Sequence, residues 1–261
     1  MISRWNKKNA RKFMAKGLCV SVLGMFVMAC SGCGGGGGGS SPVTVTQAAP
    51  APVKKPISIG ANGDSLTRGT VQNPDGTYRF TDNTAPANLQ KMLQASLGSS
   101  VTVANHGVGG ATVADVLNGV AGYKMGWKDA LPINTEQIQI AKWAVNDSNP
   151  VVNESTTVFE NDLIYWIQIT QAAGKTVVLE EPNPVCNPAF ATLPQYVAVI
   201  DKVAAQLALP LIKQYDYILS LPNWQSYLGA DCTHPADDRL YQIMAQREYD
   251  VVQPIVVALQ K

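Results

Sequence analysis

Residues 57–66 read Ile-Ser-Ile-Gly-Ala-Asn-Gly-Asp-Ser-Leu. The first five are an apolar run of strand length, and it breaks at once into the polar cluster Asn62-Gly63-Asp64-Ser65. Such a pattern marks a buried strand that delivers a polar loop at its carboxyl end. A helix follows at residues 84–97, with Leu89, Met92 and Leu93 on one apolar face. Thr84 is its cap, Pro86 suits its first turn and Gly98 stops it. Residues 101–104 read as a second strand, and Thr112 with Asp115 reads as a capping box opening a short helix through Leu117. The pattern then repeats. Residues 138–145 form a mostly alternating third strand, 155–173 a long helix ended by Gly174, and 176–179 a fourth strand. A helix at 194–209, a fifth strand at 211–215 and a closing helix at 236–252 complete the chain, with Pro254 expected to end or kink that last element. Strands alternating with helices predict an α/β fold: a parallel sheet covered on both faces, a three-layer α/β/α sandwich.

Composition agrees with one sizeable core. The 261 residues are 46% hydrophobic and 15% charged, which excludes a disordered chain, a collagen-like repeat and a disulfide-dense mini-protein. The net charge of +1 averages two unlike regions. Residues 1–29 carry Arg4, Lys7, Lys8, Arg11, Lys12 and Lys16 and no acid, which leaves 14 Lys and Arg against 19 Asp and Glu in the remainder. A mildly acidic remainder argues against nucleic-acid binding. The basic stretch and the apolar run from Gly17 to Ala29 have the pattern of an export signal, and the run is short for a membrane span. Val27-Met28-Ala29-Cys30 resembles the lipobox of bacterial lipoproteins, with Met28 bulkier than usual at its place. That resemblance implies a lipid anchor on Cys30 and an address in the bacterial envelope, on its periplasmic or cell-surface face. An ordinary signal peptide cut near Ala29 or Gly32 gives a secreted protein instead. Gly34 to Gly39, Ser40, Ser41 and the prolines to Pro56 make residues 30–55 a tether. The folded domain is expected at 56–261.

In open parallel sheets ligands bind beyond the carboxyl ends of the strands. The polar clusters at those places are Asn62 to Ser65, Asn105 to Thr112, Asn146-Asp147 and Glu180 to Cys186, with Asp231-Cys232-Thr233-His234-Pro235 before the last helix. Gly63-Asp64-Ser65-Leu66, together with Gly110, Asn146 in Ala144-Val145-Asn146-Asp147, and the pair Asp231 and His234, resembles the GDSL hydrolases of the SGNH superfamily. All four blocks fall in that family's order. Ala144 is the departure, standing where the family usually has glycine. The resemblance spans the domain from about Ile57 and implies a flavodoxin-like five-stranded sheet and ester hydrolysis.

The chemistry can be argued from the residues. A serine hydroxyl is a poor nucleophile until a base takes its proton, and imidazole is the usual base near neutral pH. The chain has two histidines. His234 has a carboxylate three residues upstream, from which Asp231 can reach Nδ1 and leave Nε2 to face Ser65. His106 has no comparably placed acid in the sequence and reads as a loop-shaping residue. Ser65 N–H, Gly110 N–H and the Asn146 amide are available as oxyanion donors. Asp64 is expected to support the nucleophile loop and not to act as a catalytic acid. No His-Glu-x-x-His run or paired Cys-x-x-Cys occurs, so neither a metal nor another cofactor is expected. Cys186 and Cys232 either pair, bracing the Asp231–His234 turn, or remain two buried thiols; pairing is the expectation in an exported protein. The partner is then an ester, a small acyl ester or an acylated glycan, because the loops near Ser65 are short apart from residues 71–83. Trp143, Trp166 and Trp224 are candidates for a sugar platform. An acyltransferase acting on sugar hydroxyls and a non-catalytic carbohydrate-binding lipoprotein are the competing readings.

Overall fold

The computed structural model describes residues 54–261; the expected export signal, Cys30 and nearly all of the expected tether lie outside them. In chain order the elements are β1 (Ile57–Gly63), α1 (Ser65–Arg68), β2 (Thr70–Gln72), β3 (Tyr78–Phe80), α2 (Ala85–Leu97), β4 (Val101–Gly107), α3 (Val113–Asn118) and α4 (Trp127–Ala130). Then come β5 (Ile138–Lys142), α5 (Thr156–Ala172), β6 (Thr176–Glu180), α6 (Leu193–Gln206), β7 (Leu211–Ile212), α7 (Tyr215–Leu219) and α8 (Arg239–Leu259). Five strands form one parallel sheet in the order β4-β1-β5-β6-β7. On one face Ile57, Ile59, Ile138, Ile140 and Val178 pack against Leu89 and Leu93 of α2 and Val252 and Val256 of α8. A second cluster joins Ala141, Val177 and Leu179 to Phe159, Leu163 and Trp166 of α5 and Val199, Ile200 and Val203 of α6. The layers are helix, sheet, helix.

Local chemistry explains the element ends. The Thr84 hydroxyl accepts from Ala87 N–H and Pro86 occupies the first turn of α2. Thr112 and Asp115 form the reciprocal capping box of α3. Some bounds differ from expectation. β5 stops at Lys142 and does not alternate, because a central strand covered on both faces buries all five residues. β7 is two residues long, since Lys213 is exposed and Tyr215 opens α7. α8 runs through Pro254 to Leu259: proline removes one hydrogen bond from a 21-residue helix, and the burial of Val252 and Val256 on either side holds the helix together.

Residues 71–83 are not simply a long loop. β2 and β3 pair antiparallel as a hairpin, with Thr70 opposite Phe80 and Gln72 opposite Tyr78. Its tip is Asn73-Pro74-Asp75-Gly76-Thr77, closed by Asn73 N–H to Thr77 O (2.8 Å) and Gly76 N–H to Asn73 O (3.0 Å). A Pro-Asp-Gly turn between two three-residue strands is the signal that marks it.

Candidate active site

Register brings the site together. Gly63 at the end of β1 lies opposite Gly107 on β4 and Lys142 on β5, so three polar loops leave the sheet side by side. The approach is close enough to exclude side chains. A Cβ on Gly107 would lie 2.3 Å from the Arg68 nitrogen, and one on Gly63 would lie 2.4 Å from the Lys142 carbonyl oxygen.

Ser65 is the first residue of α1, and Asp64 caps that helix by accepting from Leu66 N–H at 2.9 Å. Asp64 is buried. Burial raises its carboxyl above the ordinary range, against the lowering effect of the Leu66 hydrogen bond and the charges of Lys142 and His234.

His234 Nε2 stands 2.9 Å from Ser65 Oγ, and His234 Nδ1 stands 2.6 Å from Asp231 Oδ2. The other carboxylate oxygen, Oδ1, accepts from Thr233 N–H (2.9 Å) and His234 N–H (3.0 Å). Burial acts to raise the Asp231 carboxyl. The His234 ring and these two N–H groups outweigh it and hold the group below its usual value, so the carboxylate is charged beside the imidazole.

The turn that carries Asp231 and His234 is fastened from two sides. Cys232, at φ 56°, is disulfide-bonded to Cys186, whose N–H donates to Cys232 O at 2.9 Å. Asn187 Nδ2 donates to Asp231 O at 3.2 Å. From the hairpin, Gln72 N–H donates to Pro235 O (2.9 Å) and Gln72 Oε1 accepts from Asp231 N–H (2.6 Å). Tyr78 Oη donates to Asp231 Oδ2 at 3.1 Å. Phe80, also on β3, lies under the Arg68 guanidinium, 4.0 Å from the ring centre, which ties the hairpin to the nucleophile helix.

Asn146 Nδ2 donates to Ala111 O at 3.1 Å and approaches Asp64 Oδ2 at 3.4 Å. That side chain therefore joins the loop of Gly110, where φ is 79°, to the residue preceding Ser65. Asp147 beside it is fully buried and accepts from Val113 N–H and Ala144 N–H, both at 2.9 Å. Burial outweighs those bonds and pushes its carboxyl up to about 7. Ala144 sits at φ 109°, a backbone conformation that favours glycine. The departure noted in the sequence is thus a residue under backbone strain that keeps its hydrogen bond to Asp147.

Ser65, Asp231 and His234 form one bonded chain, and Asp64, Asn146 and the Gly110 loop adjoin it. Six side chains fall elsewhere or were not foreseen. His106 does have an acid, Glu136 Oε1 at 2.9 Å, supplied from 30 residues away and so invisible to local spacing. Trp143 and Trp166 are buried in the core, ring against ring at 5.5 Å, and Trp224 is half-buried against a third apolar cluster, so none of the three is an open sugar platform. Tyr78 and Gln72 reach the triad turn from the hairpin, and only the turn signal at its tip hinted at them. A cavity of about 570 Å³ is lined by Asn62, His106, Val108, Tyr123, Trp127 and Glu136 among others, but by none of Ser65, Asp231 or His234.

Comparison with known proteins covers the same stretch of the chain. The model of the GDSL-like lipase/acylhydrolase family matches residues 61–238. Comparison with curated proteins gives no match. Among solved structures, the chain is similar to the lipase/acylhydrolase of Enterococcus faecalis, with 20% identity, TM-score 0.63 and coverage of 76% of this chain and 96% of the other. It is similar to an aryl esterase of M. smegmatis, at 14% identity and TM-score 0.59, covering 76% and 99%. A carbohydrate acetylesterase of Sinorhizobium meliloti gives 13% identity and TM-score 0.59, again covering 76% and 99%. At these identities the solved structures speak for the fold.

Proposed function

The chain belongs to the GDSL-like lipase/acylhydrolase family and is a carboxylic ester hydrolase, and we propose that it works as a serine esterase on short acyl or acetyl esters. In this mechanism Ser65 Oγ attacks the ester carbonyl carbon while His234 Nε2 takes the hydroxyl proton. Asp231 holds the ring in the required tautomer and stabilises the imidazolium. The tetrahedral oxyanion is received by the N–H groups of Ser65 and Gly110 and by the Asn146 amide. His234 then protonates the departing alkoxide, leaving an acyl group on Ser65. Water, deprotonated by the same ring, attacks that acyl group; the acid leaves and Ser65 regains its proton.

The observation that carries this reading is the unbroken chain from Ser65 Oγ through both nitrogens of His234 to Asp231, at 2.9 and 2.6 Å. A short acyl group is supported by the shortness of the loops near Ser65 apart from the β2–β3 hairpin. The acetylesterase among the similar structures points the same way. The test is turnover of a chromogenic acetyl ester by the purified protein, followed through a series of longer acyl chains. The acetyl ester is expected to be the best substrate of the series. Ser65→Ala is expected to lower turnover by about 10⁴-fold or more, and an unchanged rate in that variant overturns the reading. Lipidation at Cys30 belongs to the same proposal. Mass spectrometry of membrane-extracted protein should find a diacyl or triacyl group there, and an unmodified N-terminus beyond Cys30 rejects the anchor.

A further inference from the structure

The hairpin β2–β3 does more than brace the turn. Gln72 alone provides two hydrogen bonds to the segment 231–235, and the disulfide fastens it from the other side. Tyr78 is different in kind. It is 55% exposed, so it adds little burial, and its hydroxyl goes to the same carboxylate oxygen that accepts from His234 Nδ1. Its ring also meets the imidazole edge to face, with centroids 5.2 Å apart and planes at 72°. One side chain therefore touches both the acid and the base of the triad, from a separate element 153 residues away in the chain.

We propose that Tyr78 is a positioning residue of the triad: its hydroxyl shares Asp231 Oδ2 with His234, and its ring holds the imidazole in line with Ser65. The proposal rests on the triad reading given above. Its chemical consequence follows from charge. A phenol donating to the carboxylate disperses part of the negative charge and weakens the grip on the imidazolium. The ionisable groups facing the ring are Asp231 from its own turn, Asp64 from the cap of α1 and Tyr78 from β3. Burial, then the hydrogen bond and charge of Asp231, raise the Tyr78 hydroxyl above its ordinary value, so it keeps its proton and remains a donor.

Tyr78→Phe removes the hydroxyl and keeps the ring. The imidazolium then faces an undispersed carboxylate, so His234 should hold its proton to higher pH. The chain has two histidines, so NMR titration of the full-length protein resolves both, with His106→Gln assigning them. Without substrate, the His234 midpoint is expected to rise by roughly half a pH unit in Tyr78→Phe. The acid limb of kcat/KM should move by the same amount while KM stays within about twofold. Tyr78→Ala should add a loss of kcat, because the ring no longer holds the imidazole; Tyr78→Phe carries the test if that variant does not fold. Superimposable His234 titrations in wild type and Tyr78→Phe overturn the proposal whatever the enzyme's rate. A shifted titration in a protein without Ser65-dependent hydrolysis leaves the Tyr78 contact standing and removes the esterase reading instead.

Discussion

Ala144 carries a methyl group at φ 109° with no exposed surface. Glycine there would release strain worth about 1–3 kcal/mol. Against that stand about 0.5–1 kcal/mol of lost chain stiffness and about 0.8 kcal/mol for the buried methyl. The opposing terms nearly cancel, so Ala144→Gly should unfold within about 1 kcal/mol of wild type in urea. Ala144→Val adds branching to the same backbone and should lose about 3 kcal/mol or more; equal stability of the two variants would show that φ is not what limits this position. Asn146 makes the complementary case. Its removal deprives Ala111 O of a donor, which costs about 1 kcal/mol of stability. The loss of an oxyanion donor should lower kcat about 100- to 1,000-fold. Parallel melting and kinetic measurements on Asn146→Ala separate the two, and normal turnover would take Asn146 out of the oxyanion site. Ser65, Asp231, His234 and Asn146 were legible in the sequence because each lies in a short local pattern. Tyr78 and Glu136 were not, because their partners lie 153 and 30 residues away and nothing local calls for them.

The five strands of the main sheet and the helices over them could be read from periodicity, since each presents an apolar set of the right spacing. β2 and β3 escaped that reading for a physical reason. They are three residues long, and β3 is exposed throughout, so no buried face imposes an alternation. Pro254 misled for the opposite reason: the apolar face of α8 outweighs one missing hydrogen bond. The hairpin and the Cys186–Cys232 bridge grip the same turn, and the bridge closes a loop with a sequence separation of 46. Loop-closure entropy alone makes that bridge worth up to about 4 kcal/mol. Replacing both cysteines by serine should lower urea stability by about 2–4 kcal/mol. Turnover should fall as well, because the released turn carries Asp231 and His234. A variant that loses stability and keeps full turnover would show that the hairpin alone holds the turn in place.

Charge burial extends over the carboxyl edge of the sheet and reaches α8. Lys142, Glu180 and Glu248 are each 2% exposed, with Lys142 Nζ 3.3 Å from Glu180 Oε1. Burial raises the carboxyls of Glu180 and Glu248, and it pushes Asp147 and Glu181 up to about 7. Composition gave no hint of this, because a count of charges does not say which are inside. The sign of the pH effect follows from proton binding. Between about pH 4 and 7 the folded protein keeps protons on Asp147 and Glu181 that the unfolded chain has released. Unfolding then releases protons, so each such group lowers stability by about 1.4 kcal/mol for every pH unit gained in that window. Asp231 and Glu136 act oppositely. For both, burial is outweighed by hydrogen bonds, from His234 and its neighbouring N–H groups and from His106, so the folded values are depressed. Their contribution is present above the ordinary carboxylate range and is lost as pH falls through the depressed values. The two sets together place the stability maximum near about pH 4, with Tm falling from there towards pH 8. Calorimetric melting at a series of pH values checks this; a Tm that is higher at pH 8 than at pH 5 would mean that the buried carboxyls are ionised in the folded protein.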